Sequence, residues 1–140
     1  KPLGTDIIQL PAGPTVGQLQ EGKPWPQGGL QFRGYRLAKD GTPTLLYRHG
    51  KTEITDTLSP KGDGLRRRME FSAGEGKLWV RLAVANEFLT SERGAWIGDN
   101  KLTLIAPTAS VRTLDGKAEL IAPVELKATG NTILEVQLSW

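Results

Sequence analysis

Short stretches of alternating apolar and polar residues fill the chain from Leu30 to Trp140, and none of them has the pattern of a long helix. In the most regular stretch, Leu134, Val136 and Leu138 alternate with polar residues and lead to Trp140. Turn pairs that contain glycine separate such stretches: Asp40-Gly41, Asp115-Gly116 and Gly130-Asn131. A period of two between such turns is typical of half-buried antiparallel strands. The sequence therefore predicts an all-β fold, with the four C-terminal apolar residues facing inward.

About nine or ten strands fit between residues 30 and 140 at this spacing. The first three form a meander, in which 31–38 pairs with 44–48 and 44–48 pairs with 51–58. The predicted hairpins join 31–38 with 44–48, 65–71 with 77–85, 95–97 with 102–106, 110–114 with 118–121, and 124–128 with 132–140. Few large side chains are available to fill the interior of a small barrel, so we predict an antiparallel two-sheet β-sandwich.

The length and composition fit one packed domain. A chain of 140 residues with 38% hydrophobic and 24% charged residues is far from the composition of disordered proteins. The complete absence of cysteine excludes disulfides, a thiolate nucleophile, zinc–cysteine sites and covalent haem attachment. No apolar run is long enough for a membrane span. The first residue is Lys1 rather than methionine, and we expect a chain processed or cut from something longer.

The net charge of +3 indicates only a weak preference for anionic partners. The basic residues are spread along the chain apart from Arg66-Arg67-Arg68, and few aromatic residues lie among them. We therefore expect no nucleic-acid partner.

Residues 1–29 differ in composition from the rest, because they hold five of the nine prolines and six of the seventeen glycines. Proline removes a backbone donor and fixes φ, so we predict an extended arm rather than a ladder strand. The arm contains too many apolar residues for a free tail, and we expect it to pack on the sandwich domain of residues 30–140, with 6–10 as an edge strand. Trp25, between two prolines, is either an anchor or a surface platform, and we favour the anchor.

A candidate ligand face follows from the predicted central hairpin. Alternation places Arg66, Arg68 and Glu70 on the face opposite the core, beside Trp79 and Arg81. An indole flanked by guanidinium groups and a carboxylate can stack on a sugar ring or cover a partner protein. Alternatively, the arginine stems simply cover the indole and pair with the carboxylate across the ladder.

Trp96 is the second aromatic candidate for this ligand site. If Trp79 and Trp96 are coplanar and exposed, carbohydrate binding is favoured. If they are buried, docking against other domains or plain core packing is favoured.

Arg67 does not fit the alternation, which places it on the core face with Leu65, Met69 and Phe71. Two explanations are open: either a β-bulge lies here, or the guanidinium reaches a buried carboxylate.

Residues for catalysis or metal binding do not form a convincing set. His49 is the only histidine, and the nearby acids are Glu53 and Asp56. The turns at 62–64 and 98–100 lack the alternating acids of a calcium loop. Neither a Gly-x-Ser-x-Gly elbow nor a phosphate loop is present. We therefore predict no catalytic residues, no metal and no cofactor.

Several segments together resemble a known family: Lys1-Pro2-Leu3-Gly4, Ile8-Gln9-Leu10-Pro11-Ala12-Gly13-Pro14, Pro24-Trp25-Pro26, Phe32-Arg33-Gly34-Tyr35-Arg36-Leu37, Gly41-x-Pro43-Thr44 with Tyr47, and Asp63-Gly64-Leu65-Arg66-Arg67. They resemble the C-terminal β-rich accessory region of large secreted planctomycete-type haem-binding proteins. Those proteins are similar to quinoprotein sugar dehydrogenases and carry a c-type cytochrome module. The resemblance covers most of the chain, but the Cys-x-x-Cys-His motif is absent, so haem binding and electron transfer cannot be assigned to any residue here.

The resemblance implies an extracytoplasmic setting, periplasmic or secreted, and a role beside a redox or sugar-active assembly, with a c-type cytochrome among the possible partners. Together with the residues, it predicts a non-catalytic accessory module that binds carbohydrate or docks to partner domains. The alternative is a purely structural or interaction subunit without a small-molecule ligand.

Overall fold

Twelve β-strands and no α-helix occur in residues 14–91 and 94–140, the part of the chain that the computed structural model describes. The strands are β1 (Val16–Gly17), β2 (Leu30–Leu37), β3 (Pro43–His49), β4 (Thr52–Lys61), β5 (Gly64–Phe71), β6 (Lys77–Ala85), β7 (Phe88–Thr90), β8 (Ala95–Gly98), β9 (Leu102–Ile105), β10 (Ser110–Leu114), β11 (Lys117–Glu125) and β12 (Thr132–Ser139). Within these ranges no helix is long and apolar enough to span a membrane.

The strands form two antiparallel sheets of unequal width. The small sheet has the order β1-β6-β11-β10, and the large sheet has the order β2-β3-β4-β5-β12-β9-β8-β7. This arrangement confirms the predicted all-β, antiparallel two-sheet sandwich.

The hydrophobic core combines the inner faces of both sheets. Leu78, Val80 and Leu82 of β6 belong to the same buried cluster as Met69 and Phe71 of β5. This is the alternation that the sequence predicts for half-buried strands. Burial of these side chains is the main stabilising contribution to the fold.

The C-terminal strand follows the prediction up to its last residue. In β12, Val136 and Leu138 are buried, and Leu134 packs against the core. Trp140 is 52% exposed, so its predicted inward position is wrong. The ladder of β12 ends at Ser139, and the residue beyond it is not held in register.

Hairpins with tight turns are confirmed, whereas two longer connections are not hairpins. The meander β2-β3-β4 and the pairs β8-β9 and β10-β11 form as predicted. In contrast, β5 and β6 lie in different sheets, as do β11 and β12. The two connections cross the sandwich side by side: the Gly74 N–H donates to the Lys127 carbonyl at 2.8 Å, and the Leu126 N–H donates to the Gly76 carbonyl at 2.9 Å.

A β-bulge in β2 changes which of its residues share a face. Phe32 pairs with Tyr47 and Gly34 pairs with Leu46, so Arg33 is the extra residue. Gly34 has φ +119°, a conformation that L side chains rarely adopt. Because of the bulge, Phe32 and Tyr35 point to the same face although they are three residues apart.

The described part of the predicted arm, residues 14–29, contacts the small sheet. Val16 pairs with Val80 in β6. Trp25 is only 4% exposed, and its Nε1–H donates to the Pro14 carbonyl at 2.7 Å. Trp25 is therefore an anchor, as predicted, rather than a surface platform. Residues 1–13, including the predicted edge strand at 6–10, lie outside the described residues.

Candidate functional site

The residues of the predicted ligand face lie on two different sheets. Arg66, Arg68 and Glu70 belong to β5 in the large sheet, whereas Trp79 and Arg81 belong to β6 in the small sheet. The core lies between the sheets, so the two outer faces point away from each other. The predicted common face is wrong, because the connection at residues 72–76 is a crossover and not a hairpin turn.

The polar residues of β5 form an exposed local network. The Arg68 guanidinium lies 3.1 Å from Glu70 Oε1, and Asn131 Nδ2–H donates to Glu70 Oε2 at 2.6 Å. The hydrogen bond from Asn131, and then the charge of Arg68, lower the pKa of Glu70. Arg66 is exposed, and no carboxylate of the described residues lies within ion-pair distance of it. Exposed pairs of this kind contribute little stability.

Trp79 and Arg81 have partners within the chain. The Lys77 ammonium lies 5.4 Å from the centroid of the half-buried Trp79 ring. Arg81 forms a 2.7 Å salt bridge with Glu119 and lies 5.1 Å from the centroid of the Trp25 ring. These partners differ from those of the predicted alternative, because Lys77 rather than an arginine lies over Trp79, and Arg81 pairs with Glu119 rather than with Glu70. Ligand binding by Trp79 stays a prediction.

A buried charged cluster fastens the described arm to the small sheet. Glu119, which is 6% exposed, accepts hydrogen bonds from Arg81 and, at 2.5 Å, from Arg112 Nε. Arg112 also donates to the Lys23 carbonyl at 2.6 Å. Trp25 covers Arg81, so the cluster is shielded from water. Glu119 and Arg112 were not predicted, because strand alternation alone does not show which acids and bases meet across neighbouring strands.

Trp96 does not form a platform with Trp79. It lies on β8 of the large sheet and packs against the core cluster. Its Nε1 is buried and has no hydrogen-bond acceptor among the described residues. The condition that would favour carbohydrate binding, a coplanar exposed pair, is therefore not met, because the two indoles belong to different sheets.

Arg67 forms a buried ion pair with Asp56, which confirms the second of the two predicted explanations. Arg67 Nε donates to Asp56 Oδ1 at 3.0 Å, and Nη2 donates to Oδ2 at 2.7 Å. The two residues are only 6% and 5% exposed. Their strands, β5 and β4, are neighbours, and Asp56 is in register with Met69, two residues from Arg67. Each charge therefore satisfies the other inside the large sheet.

The surroundings of this ion pair affect Tyr47. Burial raises the pKa of the Tyr47 phenol, and the negative charge of Asp56 raises it further, while Arg67 opposes this shift. Tyr47 thus stays neutral and contributes an apolar ring to the inner face of β3.

His49 lies at the end of β3 and lines a cavity of about 610 Å³ next to the crossover connections at 72–76 and 126–131. Lys51, Glu75 and Leu126 also line it. In the described ranges no group of three histidine, cysteine or acidic residues could hold a metal ion. A single histidine without a positioned carboxylate provides no recognisable catalytic set.

The most unusual surface is an exposed apolar face on β2, which the sequence analysis did not predict. Phe32, Tyr35 and Leu37 are 60%, 65% and 62% exposed, and together we call them the β2 face. Register places them on the inner side of the large sheet, where Phe32 makes an edge contact with Tyr47 at a ring distance of 5.6 Å. The exposure of these side chains shows that the described strands of the small sheet leave this end of the large sheet uncovered.

The opposite side of the same strand is basic. Arg33, Arg36 and Arg48, together with one acidic residue, Glu53, line a depression of about 300 Å³ on the outer side of the large sheet. Arg33 and Arg36 are exposed, and no acidic group of the described residues forms an ion pair with either of them. Strand β2 therefore separates an apolar surface from a cationic one.

Comparison with protein-family models, with curated proteins and with solved structures found no match to this chain. The functional argument therefore depends on the surfaces described above.

Proposed function

We propose that this chain is a non-catalytic accessory β-sandwich module, which docks to neighbouring domains or subunits of a larger extracytoplasmic redox or sugar-active protein. The observation that carries the docking part is the β2 face, Phe32, Tyr35 and Leu37, each more than half exposed. Contiguous exposed apolar patches commonly mark interaction surfaces. The extracytoplasmic redox setting comes only from the sequence resemblance.

The size of the β2 face is sufficient for the centre of an interface. Three large side chains at 60–65% exposure present roughly 350 Å² of surface. Covering this area would contribute on the order of 8 kcal/mol before the costs of association are subtracted. Aromatic residues at the centre of an interface often dominate its affinity.

Carbohydrate binding is the second form of this proposal, and it is supported less well. Sugar recognition needs polar groups beside the aromatic ring, because each hydroxyl requires a hydrogen-bond partner. The β2 face instead continues into aliphatic Leu37, and Arg81 beside Trp79 is already engaged by Glu119. An apolar protein surface therefore matches the exposed groups better.

Site-specific photo-crosslinking tests the docking proposal. A photoreactive phenylalanine analogue replaces Tyr35 in the complete protein, expressed in cells that make its natural partners, and cross-linked peptides are identified by mass spectrometry. The matched control carries the analogue at Glu135, an exposed residue on the outer side of β12. We expect one defined partner surface from position 35 and none from position 135, with loss of the product in the Leu37→Asp variant. Equal products from both positions, or none from position 35, would refute docking through this face.

A binding screen tests the carbohydrate form separately. Soluble and insoluble polysaccharides are mixed with the chain, and tryptophan fluorescence is followed for the wild type and for Trp79→Ala. Binding that survives about 0.5 M salt and vanishes in the variant would replace docking by recognition of a neutral glycan.

A further inference from the structure

We propose that the segment covering the β2 face is an extended strand with alternating apolar and acidic residues, which pairs with the free edge of β2. This inference depends on the proposed docking function and specifies the chemistry of the partner.

The position of β2 in the sheet provides the backbone part of this recognition. It is the terminal strand of the large sheet among residues 14–91 and 94–140, so one row of its N–H and C=O groups has no strand partner in that part of the chain. Its eight residues make it the longest edge strand among the described residues, compared with five in β10, three in β7 and two in β1. The strand contains no proline and no lysine, the residues that often protect such edges. An extended segment can therefore add to the sheet by β-augmentation.

The two sides of β2 define the side-chain pattern of the partner. Phe32, Tyr35 and Leu37 lie on the inner side, where an added strand would place every second side chain. Those side chains must be apolar to extend the inner face. The intervening side chains would lie on the outer side, next to Arg33 and Arg36. These two arginines share their depression with the single carboxylate of Glu53 and form no ion pair with any described residue. Carboxylates at these positions would complement the guanidinium charges.

A second copy of this chain fits the same edge less well. Pairing two β2 edges would bring Arg33 and Arg36 of both copies to one outer surface, where like charges repel. A separate acidic segment avoids the repulsion.

Peptide binding to the full chain tests the proposal. The probe is an end-capped eight-residue peptide that alternates valine with glutamate, matched to the length of β2. One control peptide has the same composition with its valines in one block, and another has its central amide nitrogens methylated to remove the backbone donors. Affinity is measured by anisotropy of the labelled peptide, and the binding edge is mapped by hydrogen exchange of backbone amides.

We expect the alternating peptide to bind more tightly than both controls and to protect amides of β2. Arg36→Glu should weaken binding by about fivefold or more, whereas Arg66→Glu should change it by less than about twofold. Arg66 is a matched control, because it is also an exposed arginine on the outer side of the large sheet but lies on β5. Affinity should also fall with rising salt concentration.

Other results would overturn the inference. Equal affinity for the alternating and block peptides would refute strand addition, while cross-linking from Tyr35 would still support docking. Equal effects of Arg36→Glu and Arg66→Glu would refute an acidic partner strand. Concentration-dependent dimerisation that Tyr35→Ser abolishes would assign the edge to a second copy. Peptide binding seen only after removal of residues 1–13 would assign it to that segment of the chain.

Discussion

Replacing Asp56 by alanine should be among the most destabilising changes in this protein. Arg67 would keep its charge in an environment where it is 6% exposed, and it would lose both hydrogen bonds, at 3.0 and 2.7 Å. Leaving one member of a buried ion pair uncompensated costs about 3 to 5 kcal/mol. For a chain of this length such a loss lowers the melting temperature by about 10 to 15 °C.

Two matched variants separate the buried charge from its geometry. Arg68→Ala removes a salt bridge whose side chains are 47% and 31% exposed, so we expect a loss below about 1 kcal/mol. The double variant Asp56→Leu/Arg67→Met removes both charges, and its stability should lie within about 1 kcal/mol of the wild type or above it.

Urea unfolding, followed by tryptophan fluorescence and circular dichroism, measures all three variants. The slope with urea concentration must stay constant for the free energies to be compared. If Asp56→Ala costs no more than Arg68→Ala, then water reaches the pair and the argument from burial is wrong. If the double variant is as unstable as Asp56→Ala, the pair stabilises the fold through its packing and hydrogen-bond geometry, and the cost of an unpaired buried charge is not the cause.

Three further predictions concern stability. Trp25→Ala should lower the free energy of unfolding by about 3 kcal/mol because it empties a buried site, whereas Trp140→Ala should change it by less than about 0.5 kcal/mol, as thermal melts can check. Burial, and then a neighbouring carboxylate, raise the pKa of Tyr47. The free energy of unfolding should therefore be unaffected at pH values well below the ordinary pKa of 10.0 and should fall as pH rises above it. A pH series of urea midpoints measures this, and an equal fall in a Tyr47→Phe variant would contradict it. Gly64→Ala should cost about 1 to 3 kcal/mol, because the new Cβ would clash with the Leu138 carbonyl oxygen on the neighbouring strand β12. An unchanged urea midpoint would show that β5 and β12 move apart easily.

Strands and tight hairpins could be predicted from the sequence, because local residues determine them. Alternation and two-residue turns such as Asp115-Gly116 predict strands and hairpins correctly, because the turn geometry itself joins neighbouring strands. The connections at 72–76 and 126–131 also contain glycine, yet they cross between the sheets. Gly74 serves close approach instead, because a Cβ there would lie 2.7 Å from Thr52 Oγ1, whereas Gly76 and Gly130 have positive φ like the glycines of the tight turns. Composition alone cannot separate these two uses of glycine.

The charged residues show the same limit at the level of side chains. The alternation identified Arg67 as a basic residue on the core face and predicted a buried carboxylate as one explanation. Its partner, Asp56, is defined by the register of β4 against β5, which depends on the whole meander. The predicted face around Trp79 failed for the same reason, since two correctly predicted strands were assigned to one sheet.

The β2 face was not predicted because exposure depends on the opposite sheet. The apolar residues of β2 have the spacing of an ordinary half-buried strand, interrupted by the bulge at Arg33. The three-residue step from Phe32 to Tyr35 across Gly34 is the local sequence signal of that bulge. Whether the resulting face is covered depends on the width of the small sheet, and no residue of β2 encodes that width.

The unequal widths of the sheets give the β2 face its significance. An eight-stranded sheet packed against a four-stranded one must extend beyond it. If the uncovered strands carried polar side chains, no apolar surface would be exposed to water there. The outer side of the neighbouring strands has that character, since Thr44 and Thr57 share a hydrogen bond at 2.9 Å there. The inner side of β2 instead carries three large apolar side chains. They lie next to an edge that no described strand covers and opposite two arginines. Strand β2 thus combines exposed apolar side chains, backbone groups without a described strand partner and two arginines. A partner strand that alternates apolar and acidic residues would contact all three.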